Sequence, residues 1–340
     1  MAIAPDRYSR QVVLPQIGSK GQARLRDARA LVVGCGALGC MQGQLLARAG
    51  VGQLRVVDRD LVEITNIQRQ VLFDEEDAAS GLPKAEAAAR HLRRINSSIQ
   101  VDSLVADVTP RNVETLIRDV DVVLDATDNM ETRYLLNDAC VKLVKPWIYG
   151  AAIGCSGAVM TIQPGAGPCL RCLAPEPPPP GTLATCDLAG VLNAAPALVA
   201  SLQVAEAIRL LVGDPAAIPK MTEVELWDQS FGRIEVKQDP ECRCCGEHLY
   251  EFLSAQETSA ATTLCGRNAV QVTPARAGPI PLDALAEQLK ELGEVSNNGL
   301  LVQFRIGAHD LVIFPDGRAI VRGTDDTAVA RSLYARFIGG

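Results

Sequence analysis

The first apolar run of the chain is Ala30-Leu31-Val32-Val33-Gly34-Cys35-Gly36-Ala37-Leu38-Gly39, in which a short strand-like segment passes into three spaced glycines. A buried strand that leads through such glycines into a helix is typical of nucleotide-binding turns, where backbone amides and the helix dipole face phosphate oxygens. The glycines alone are weak support. Asp58 strengthens the interpretation, because it lies 19 residues after Gly39 at the end of the next apolar run, where a carboxylate can hold a ribose hydroxyl.

The first half of the chain alternates strand-like and helix-like segments. Helices are predicted at residues 41–49 and 84–95, and strands at residues 30–33, 54–58, 101–105, 122–125, 147–149 and 158–162. Strands separated by helices of this length form mostly parallel sheets that are covered on both faces. We therefore predict an α/β domain with a doubly wound, Rossmann-like, mostly parallel sheet.

The composition is that of an ordinary globular protein. The 340 residues are 48% hydrophobic and 21% charged, and a chain of this length is expected to form two domains. A net charge of -7 argues against nucleic acid as the main partner. Eleven cysteines, with no signal-peptide-like apolar core in residues 1–7, favour a reducing cytoplasm.

The most apolar helix-length stretch covers residues 194–212, but Gln203, Glu206 and Arg209 interrupt it. Charged side chains are costly inside a bilayer. We therefore expect a buried helix here, and no contact of the protein with a membrane.

Two CxxC pairs lie far apart on the chain, Cys169-Leu170-Arg171-Cys172 and Cys242-Arg243-Cys244-Cys245. Two such pairs complete the tetrahedral four-sulfur shell that a structural zinc ion prefers. We predict a zinc site made of Cys169, Cys172, Cys242 and Cys245, with Cys244 as a spare thiol. Ordinary buried thiols and a redox-active pair are the alternative interpretations.

A glycine loop followed by an acidic residue fits NAD as well as ATP. What separates the two is the segment Asp58-Arg59-Asp60-Leu61-Val62-Glu63-Ile64-Thr65-Asn66-Ile67-Gln68-Arg69-Gln70, which adds amides and a guanidinium beside the nucleotide. Attack at a nucleotide phosphate needs such groups, whereas hydride transfer does not. ATP is therefore favoured over NAD.

Several motifs occur together and in a fixed order: Arg7-Tyr8-Ser9-Arg10-Gln11, the glycine loop, residues 58–70, Gly81-Leu82-Pro83-Lys84, Asp125-Ala126-Thr127-Asp128-Asn129 and both CxxC pairs. In this arrangement the chain resembles the ThiF/MoeB family of adenylyltransferases, bacterial relatives of ubiquitin-activating enzymes, over roughly residues 5–248. The resemblance implies a homodimer that uses ATP and Mg²⁺ to adenylate the C-terminal glycine of a small β-grasp sulfur-carrier protein. That carboxylate is then converted to a thiocarboxylate, with sulfur from a cysteine desulfurase or another donor.

The same resemblance implies roles for individual residues. Asp58 holds the ribose, Asn66, Arg69 and Lys84 reach the phosphates, and Asp128 holds Mg²⁺. Arg10 reaches the triphosphate from the other subunit, and the remaining expected nucleotide contacts are Gly34, Gly36, Gly39, Asp60, Thr65, Gln70 and Asn129. Taken singly, each charged residue could instead be a solvated surface group, and Asp128 could be the N-cap of the helix that follows.

Cys186 follows the proline-rich residues 177–181 and corresponds to a crossover-loop cysteine that some members of the family link covalently to their partner. An exposed loop thiol near a helix start can be an activated nucleophile. Other members have this cysteine without needing it, so a plain residue near the helix cap is the alternative.

We predict an adenylation domain over residues 1–250, a linker over 251–260 and a small α+β module over 261–340. The module's expected strands are residues 269–272, 300–306, 311–314 and 319–321, and its helices 282–292 and 327–337. Partner docking or support of the dimer is its expected role. Cys265 is interpreted either as a sulfur-carrying thiol or as an ordinary thiol at the start of a strand. The Gly339-Gly340 ending is interpreted as a helix stop or, alternatively, as a C-terminal tail that the enzyme itself activates.

Three functions are compatible with these features. The first is an ATP-dependent activating enzyme for a ubiquitin-like sulfur carrier. The second is an NAD-dependent oxidoreductase, which rests on the glycine loop and Asp58. The third is a nucleotide-binding scaffold without catalysis.

Overall fold

The structure, a computed structural model, describes residues 7–178, 189–214, 220–254, 260–264, 268–274 and 280–338. The chain divides into two compact units, Met1–Ala255 and Gln256–Gly340. The predicted linker, residues 251–260, begins with a short helix, Glu251–Ser254, that belongs to the first unit. Cys186, Cys265 and the Gly339-Gly340 ending lie outside the described residues.

The strands of the first unit are β1 Arg29–Val33, β2 Gln53–Asp58, β3 Gln100–Val105, β4 Val122–Asp125, β5 Trp147–Ile153, β6 Ser156–Ile162, β7 Lys220–Glu225 and β8 Ser230–Glu235. Its described helices are α1 Ser9–Val12, α2 Gly18–Asp27, α3 Ala37–Ala49, α4 Glu75–Ala79, α5 Lys84–Ile95, α6 Val113–Ile117, α7 Met130–Lys142, α8 Leu170–Leu173, α9 Ala194–Val212 and α10 Glu251–Ser254. A single 3-10 turn, Ile64–Asn66, follows β2. Helix α3 begins four residues earlier than predicted, directly after the glycine loop.

The sheet of the first unit has the strand order β3-β2-β1-β4-β5-β6-β7-β8. Strands β1 to β5 are parallel to their neighbours, whereas β6, β7 and β8 are added antiparallel. The predicted mostly parallel, Rossmann-like sheet is confirmed. The strand order reverses between β1 and β4, and ligands of such sheets bind at this point, outside the carboxyl ends of the strands.

Both faces of this sheet are covered. Along β1, Ala30 and Val32 enter one apolar cluster with α3, α5 and α9, while Leu31 and Val33 enter a second cluster with α6 and α7. Alternate residues of a strand point to opposite faces, so burial on both sides explains why β1 is apolar from Ala30 to Val33.

Helix α9 is the one described helix whose length and composition could cross a membrane, which by itself is weak support for a span. It packs against α3, β5 and β6. Its polar residues have partners inside the fold: Gln203 is fully buried and donates to the carbonyls of Asp125 and Ile148, and Glu206 pairs with Arg209. These are the contacts of a core helix.

The described residues of the second unit form a separate antiparallel sheet with two helices. Its strands are β9 Ala260–Leu264, β10 Ala269–Thr273, β11 Glu294–Asn297, β12 Val302–Ile306, β13 His309–Ile313 and β14 Ala319–Arg322, in the order β11-β12-β13-β14-β10-β9. Helices α11 Leu282–Leu289 and α12 Thr327–Phe337 share one apolar core with the sheet. The predicted α+β fold is confirmed, whereas β9 and β11 were not predicted.

Candidate nucleotide site and metal centre

The three glycines of the loop between β1 and α3 have different structural roles. Gly34 has φ +97°, and a Cβ there would lie 2.6 Å from the Ala126 carbonyl oxygen. A Cβ on Gly39 would overlap the Gly34 carbonyl. A Cβ on Gly36, the N-cap of α3, would meet nothing closer than the Gln70 amide at 4.0 Å. Packing therefore requires Gly34 and Gly39, while Gly36 leaves the backbone open to a phosphate group.

Asp58, at the end of β2, holds the glycine loop in place. Its Oδ2 accepts a hydrogen bond from the Cys35 amide at 2.6 Å, and its Oδ1 accepts one from the Asp60 amide at 2.7 Å. Burial raises the pKa of Asp58, an effect that Lys84 and the two amides oppose. Each carboxylate oxygen retains a second lone pair, so Asp58 can still accept a ribose hydroxyl.

Lys84 opens α5 and is only 4% exposed. Its Nζ lies 3.1 Å from Asp60 Oδ2, and its backbone amide donates to the Asp60 carbonyl at 2.8 Å. These two contacts with Asp60 hold the Lys84 ammonium close to the carboxyl end of β2, among the residues that surround the glycine loop.

The 3-10 turn Ile64–Asn66 and the residues that follow it carry Asn66 and Arg69, two of the predicted phosphate-binding side chains. Asn66 is buried, and its Oδ1 accepts from the Arg69 guanidinium at 2.7 Å. Gln70 is 4% exposed, and its Oε1 has no hydrogen-bond donor within the described part of the chain. A buried acceptor without a donor is costly, and a hydroxyl or amino group of a nucleotide would supply one. Thr65 is exposed in the same turn.

Asp128 and Asn129 have separate roles at the start of α7. Asn129 is the N-cap, and its Oδ1 accepts from the Thr132 amide at 2.8 Å. The alternative interpretation of Asp128 as the cap is therefore wrong. Asp128 is exposed, and its charge contributes to raising the pKa of Arg59 and of Arg133. An exposed carboxylate at this position is available to a cation.

A buried ion pair between Asp125 and Arg133 stabilises the loop between β4 and α7. It was not predicted from the sequence. Asp125 is fully buried, with its Oδ2 3.0 Å from Arg133 Nε and its Oδ1 accepting from both the amide and the hydroxyl of Thr127. Arg133 also donates to the carbonyls of Thr127 and Gly150. Burial alone would lower the pKa of Arg133, but Asp125 raises it. The available signal was an arginine eight residues after Asp125.

The structure brings most of the predicted nucleotide contacts to the carboxyl ends of β1, β2 and β4. They are Gly34, Gly36, Gly39, Asp58, Asp60, Asn66, Arg69, Gln70, Lys84, Asp128 and Asn129. Arg10 lies exposed on α1, and within the described residues it forms no hydrogen bond or ion pair with this group.

The two CxxC pairs converge in space. The sulfurs of Cys169, Cys172, Cys242 and Cys245 all lie within 4.8 Å of one another. Cys169 and Cys242 sulfurs are 3.6 Å apart, and those of Cys172 and Cys245 are 3.4 Å apart. Tetrahedral zinc–sulfur bonds of ~2.3 Å imply sulfur separations of about 3.8 Å. The four thiols therefore fit a zinc ion.

Local backbone contacts position the sulfurs of both cysteine pairs. Cys169 precedes α8, and the Asp239 amide donates to Cys172 Sγ at 3.5 Å. Gly246 follows Cys245 directly, and a Cβ there would collide with the Pro240 carbonyl. Burial and the neighbouring Cys172 thiol raise the pKa of Cys245 to about 12. A divalent cation would oppose this effect, because it binds and stabilises thiolates.

The model of the ThiF family matches residues 8–244. The sulfur carrier protein ThiS adenylyltransferase of Bacillus subtilis is 44% identical over 337 residues, which cover 98% of this chain and 99% of that protein. A sulfur carrier protein adenylyltransferase of Thermus thermophilus is 43% identical over 250 residues, which cover 71% of this chain and 91% of that protein. The crystal structure of E. coli MccB with ATP shares the fold, with a TM-score of 0.61 at 23% identity, over 72% of this chain and 75% of that chain. The chain described here belongs to the ThiF family.

Proposed function

We propose that this protein uses ATP to adenylate the C-terminal glycine carboxylate of a ubiquitin-like sulfur-carrier protein, with release of pyrophosphate. The names of the Bacillus and Thermus relatives support the activity, and the Bacillus relative aligns with nearly the whole chain, beyond the first unit. The reaction is the first step of thiocarboxylate formation on the carrier, and we propose that it takes place in the cytoplasm.

The observation that carries this proposal is the cluster of open polar groups around the glycine loop. Gly36 leaves the backbone accessible, Gln70 has a buried amide oxygen without a donor, and Asp128 is an exposed carboxylate in the loop after β4, whose Ala126 carbonyl lies against Gly34. Arg69 and Lys84 add positive charge. A site with these groups suits a triphosphate, whose charge must be neutralised on both sides of the attacked phosphorus.

In the proposed reaction, a carboxylate oxygen of the carrier's last glycine attacks the α-phosphorus of ATP. The bond from that phosphorus to the bridging oxygen breaks, and pyrophosphate leaves with the electron pair. The protein's part is to position the two reactants and to stabilise the charge that moves onto the leaving group. We assign that stabilisation to Arg69 and Lys84, with Asn66 as a further donor and Asp58 on the ribose.

We propose that Asp128 holds a Mg²⁺ ion that neutralises the phosphates. We also propose a homodimer in which Arg10 of one subunit reaches the triphosphate at the other subunit's site. The exposed position of Arg10 on α1, apart from the nucleotide residues of its own chain, supports this arrangement. Zinc at the four cysteines would have a structural role, because its four ligand positions are filled by protein sulfurs.

We propose that the carrier binds at the β8 edge of the sheet. Every residue of β8 is exposed, and Phe231 on this strand and Trp227 just before it are 66% and 77% exposed. An open strand edge with exposed aromatic side chains suits a partner that is itself mostly β-sheet, since the partner can add a strand. Phe231→Asp should therefore raise the carrier concentration needed for half-maximal activity and leave the KM for ATP unchanged.

The matched control for that variant is Val144→Asp, between α7 and β5, which also places a charge on an exposed apolar position of the first unit. An unchanged carrier requirement in Phe231→Asp would remove β8 from the docking surface.

We propose that a cysteine desulfurase or another donor supplies sulfur after adenylation. A covalent link between Cys186 and the carrier, and a sulfur-carrying role for Cys265, stay predictions. Mass spectrometry of the protein trapped with adenylated carrier would detect either adduct. If a chain with both cysteines replaced by serine still forms the carrier thiocarboxylate at the wild-type rate, both roles are excluded.

The test of the proposed activity is carrier-dependent exchange of radiolabelled pyrophosphate into ATP. We expect exchange with a ubiquitin-like carrier that ends in Gly-Gly, and none when the carrier lacks its last glycine. Reduction of a nicotinamide cofactor in place of exchange would support the oxidoreductase, and nucleotide binding without either reaction would support the scaffold.

A further inference from the structure

One side chain of α7 contacts both cysteine segments. Asn137 is fully buried, and its Oδ1 accepts a hydrogen bond at 2.9 Å from the amide of Leu170, the residue directly after Cys169. Its Nδ2 donates at 3.2 Å to the sulfur of Cys244, the residue directly before Cys245. Asn137 therefore bridges two segments that are separated by about seventy residues of chain.

The orientation of this amide follows from its partners. A backbone N–H can only donate, so the side-chain oxygen of Asn137 must face Leu170, and its nitrogen then faces Cys244. Asp138, the next residue of α7, accepts at Oδ2 from the Phe252 amide at 2.9 Å. Cys244 is thus a hydrogen-bond acceptor for Asn137 in the buried polar surroundings of α7.

Cys244 differs from its four neighbours in its place around the metal site. The set of sulfurs that lie within 4.8 Å of one another consists of Cys169, Cys172, Cys242 and Cys245, and does not include Cys244. Cys244 is fully buried and has a polar partner of its own. Its absence from the set of four agrees with the prediction that Cys244 is a spare thiol outside the ligand set, and the hydrogen bond from Asn137 adds a structural contact that the spacing did not predict.

We propose that Asn137 is a positioning residue for the four-cysteine site and that Cys244 is its hydrogen-bond acceptor, so that this pair holds the two CxxC segments together before the metal binds. The proposal rests on the proposed zinc site. Groups outside the ligand shell that orient the ligands are worth about 10- to 100-fold in metal affinity. Here the bonds run from one rigid helix to both halves of the site, which reduces the freedom that the segments lose on binding.

The experiment measures zinc affinity of the full-length chain by competition with a chromophoric chelator, and the absorption spectrum of the Co²⁺-substituted chain. Asn137→Ala and Cys244→Ala should each weaken zinc binding by about 10-fold or more. Cys244→Ser should regain part of that loss, because a hydroxyl can still accept from the Asn137 amide. All three should keep the cobalt spectrum of four thiolates.

Cys140→Ala is the matched control. Cys140 is a fully buried thiol on α7, but its sulfur forms no hydrogen bond within the described residues and is not one of the four converging sulfurs. Its replacement should lower the free energy of unfolding without weakening zinc binding. If it weakens zinc binding as much as Asn137→Ala does, the effect is general destabilisation, and the proposal is overturned.

Two further results would overturn the positioning role alone. One is unchanged zinc affinity in the folded Asn137→Ala or Cys244→Ala chain. The other is loss of one thiolate from the cobalt spectrum of Cys244→Ser, which would make Cys244 a ligand. A wild-type chain that takes up no zinc would instead overturn the metal site itself, together with this inference.

Discussion

The nucleotide site and the cysteine site lie at different parts of the same helix, α7, and are built in opposite ways. At the N-terminal end, Asp128 is exposed and the nearby Gln70 has a buried oxygen without a donor. Further into the helix, Asn137 is fully buried and bonded at both ends of its amide. The first site leaves polar groups open, whereas at the second both ends of the bridging amide are paired.

This difference matches the lifetime of the ligand that each site would hold. A substrate has to enter and leave at every turnover, so its site must keep donors, acceptors and charges accessible. A structural metal stays bound, so its site can be buried and its surroundings fully paired. The predictions below test that contrast, beginning with the largest effect.

Cys172→Ala should have the largest effect, and it should act on stability. Loss of a structural zinc removes a binding free energy on the order of 10 kcal/mol in small sites. We expect the variant to lose its zinc and to unfold at lower denaturant concentration, with about one zinc per chain in the wild type. Elemental analysis and urea unfolding measure both quantities. A zinc-free wild type whose stability does not respond to chelators would contradict a closed metal site.

Asp128→Ala should leave the fold intact and reduce the chemical step. Removal of the carboxylate proposed to hold Mg²⁺ should lower the adenylation rate at least ~100-fold, with a smaller change in ATP affinity, because the metal matters most as charge moves onto pyrophosphate. Pyrophosphate exchange at saturating ATP measures the rate. Glu131→Ala, another exposed carboxylate at the start of α7, is the control and should react normally. Equal exchange in Asp128→Ala and wild type would withdraw the assignment.

Asp58→Ala should affect ATP binding and the glycine loop together. The change removes the acceptor of the Cys35 and Asp60 amides, and each unpaired amide costs about 1 to 3 kcal/mol when buried. We expect weaker ATP binding, measured by calorimetry, and a lower free energy of unfolding. Asp58→Asn keeps one acceptor oxygen and should be affected less. ATP affinity equal to wild type in Asp58→Ala would separate this carboxylate from the nucleotide site.

The smallest expected signal is a recovery of activity between two inactive chains. If Arg10 acts across the dimer, a mixed dimer of Arg10→Ala and Asp128→Ala chains contains one site with both residues intact. Pyrophosphate exchange should return in such dimers while each variant alone stays inactive. Verified mixed dimers without recovered exchange would place Arg10 outside the site.

The sequence was sufficient for the architecture wherever local pattern decides structure. Alternating apolar runs predicted β1 to β6, and the spaced glycines placed the turn before α3. The strands that were missed, β7, β8, β9 and β11, lack that pattern. Strand β8 is exposed along its whole length, so it has no buried face to mark it, and its pairing with β7 appears only in the folded sheet.

The candidate sites show the same division. The CxxC spacing identified four thiols that converge within 4.8 Å, since two ligands two residues apart already share a local turn. The spacing did not reveal that Asn129, and not Asp128, caps α7, because the cap depends on where the helix begins. The sequence did not predict the role of Arg133, because its partner Asp125 lies on strand β4 and the two side chains meet only in the folded structure.

The sequence by itself therefore determined the fold class, the glycine loop, the four metal-ligating candidates and the family, all of which depend on residues close together in the chain or on motif order. Only the tertiary structure decided which polar groups are paired and which stay open. The bond between Asn137 and Cys244 joins residues 107 positions apart. Such a bond exists because a helix and a distant loop pack together and exclude water, and a buried polar group must then find its partner wherever the fold provides one.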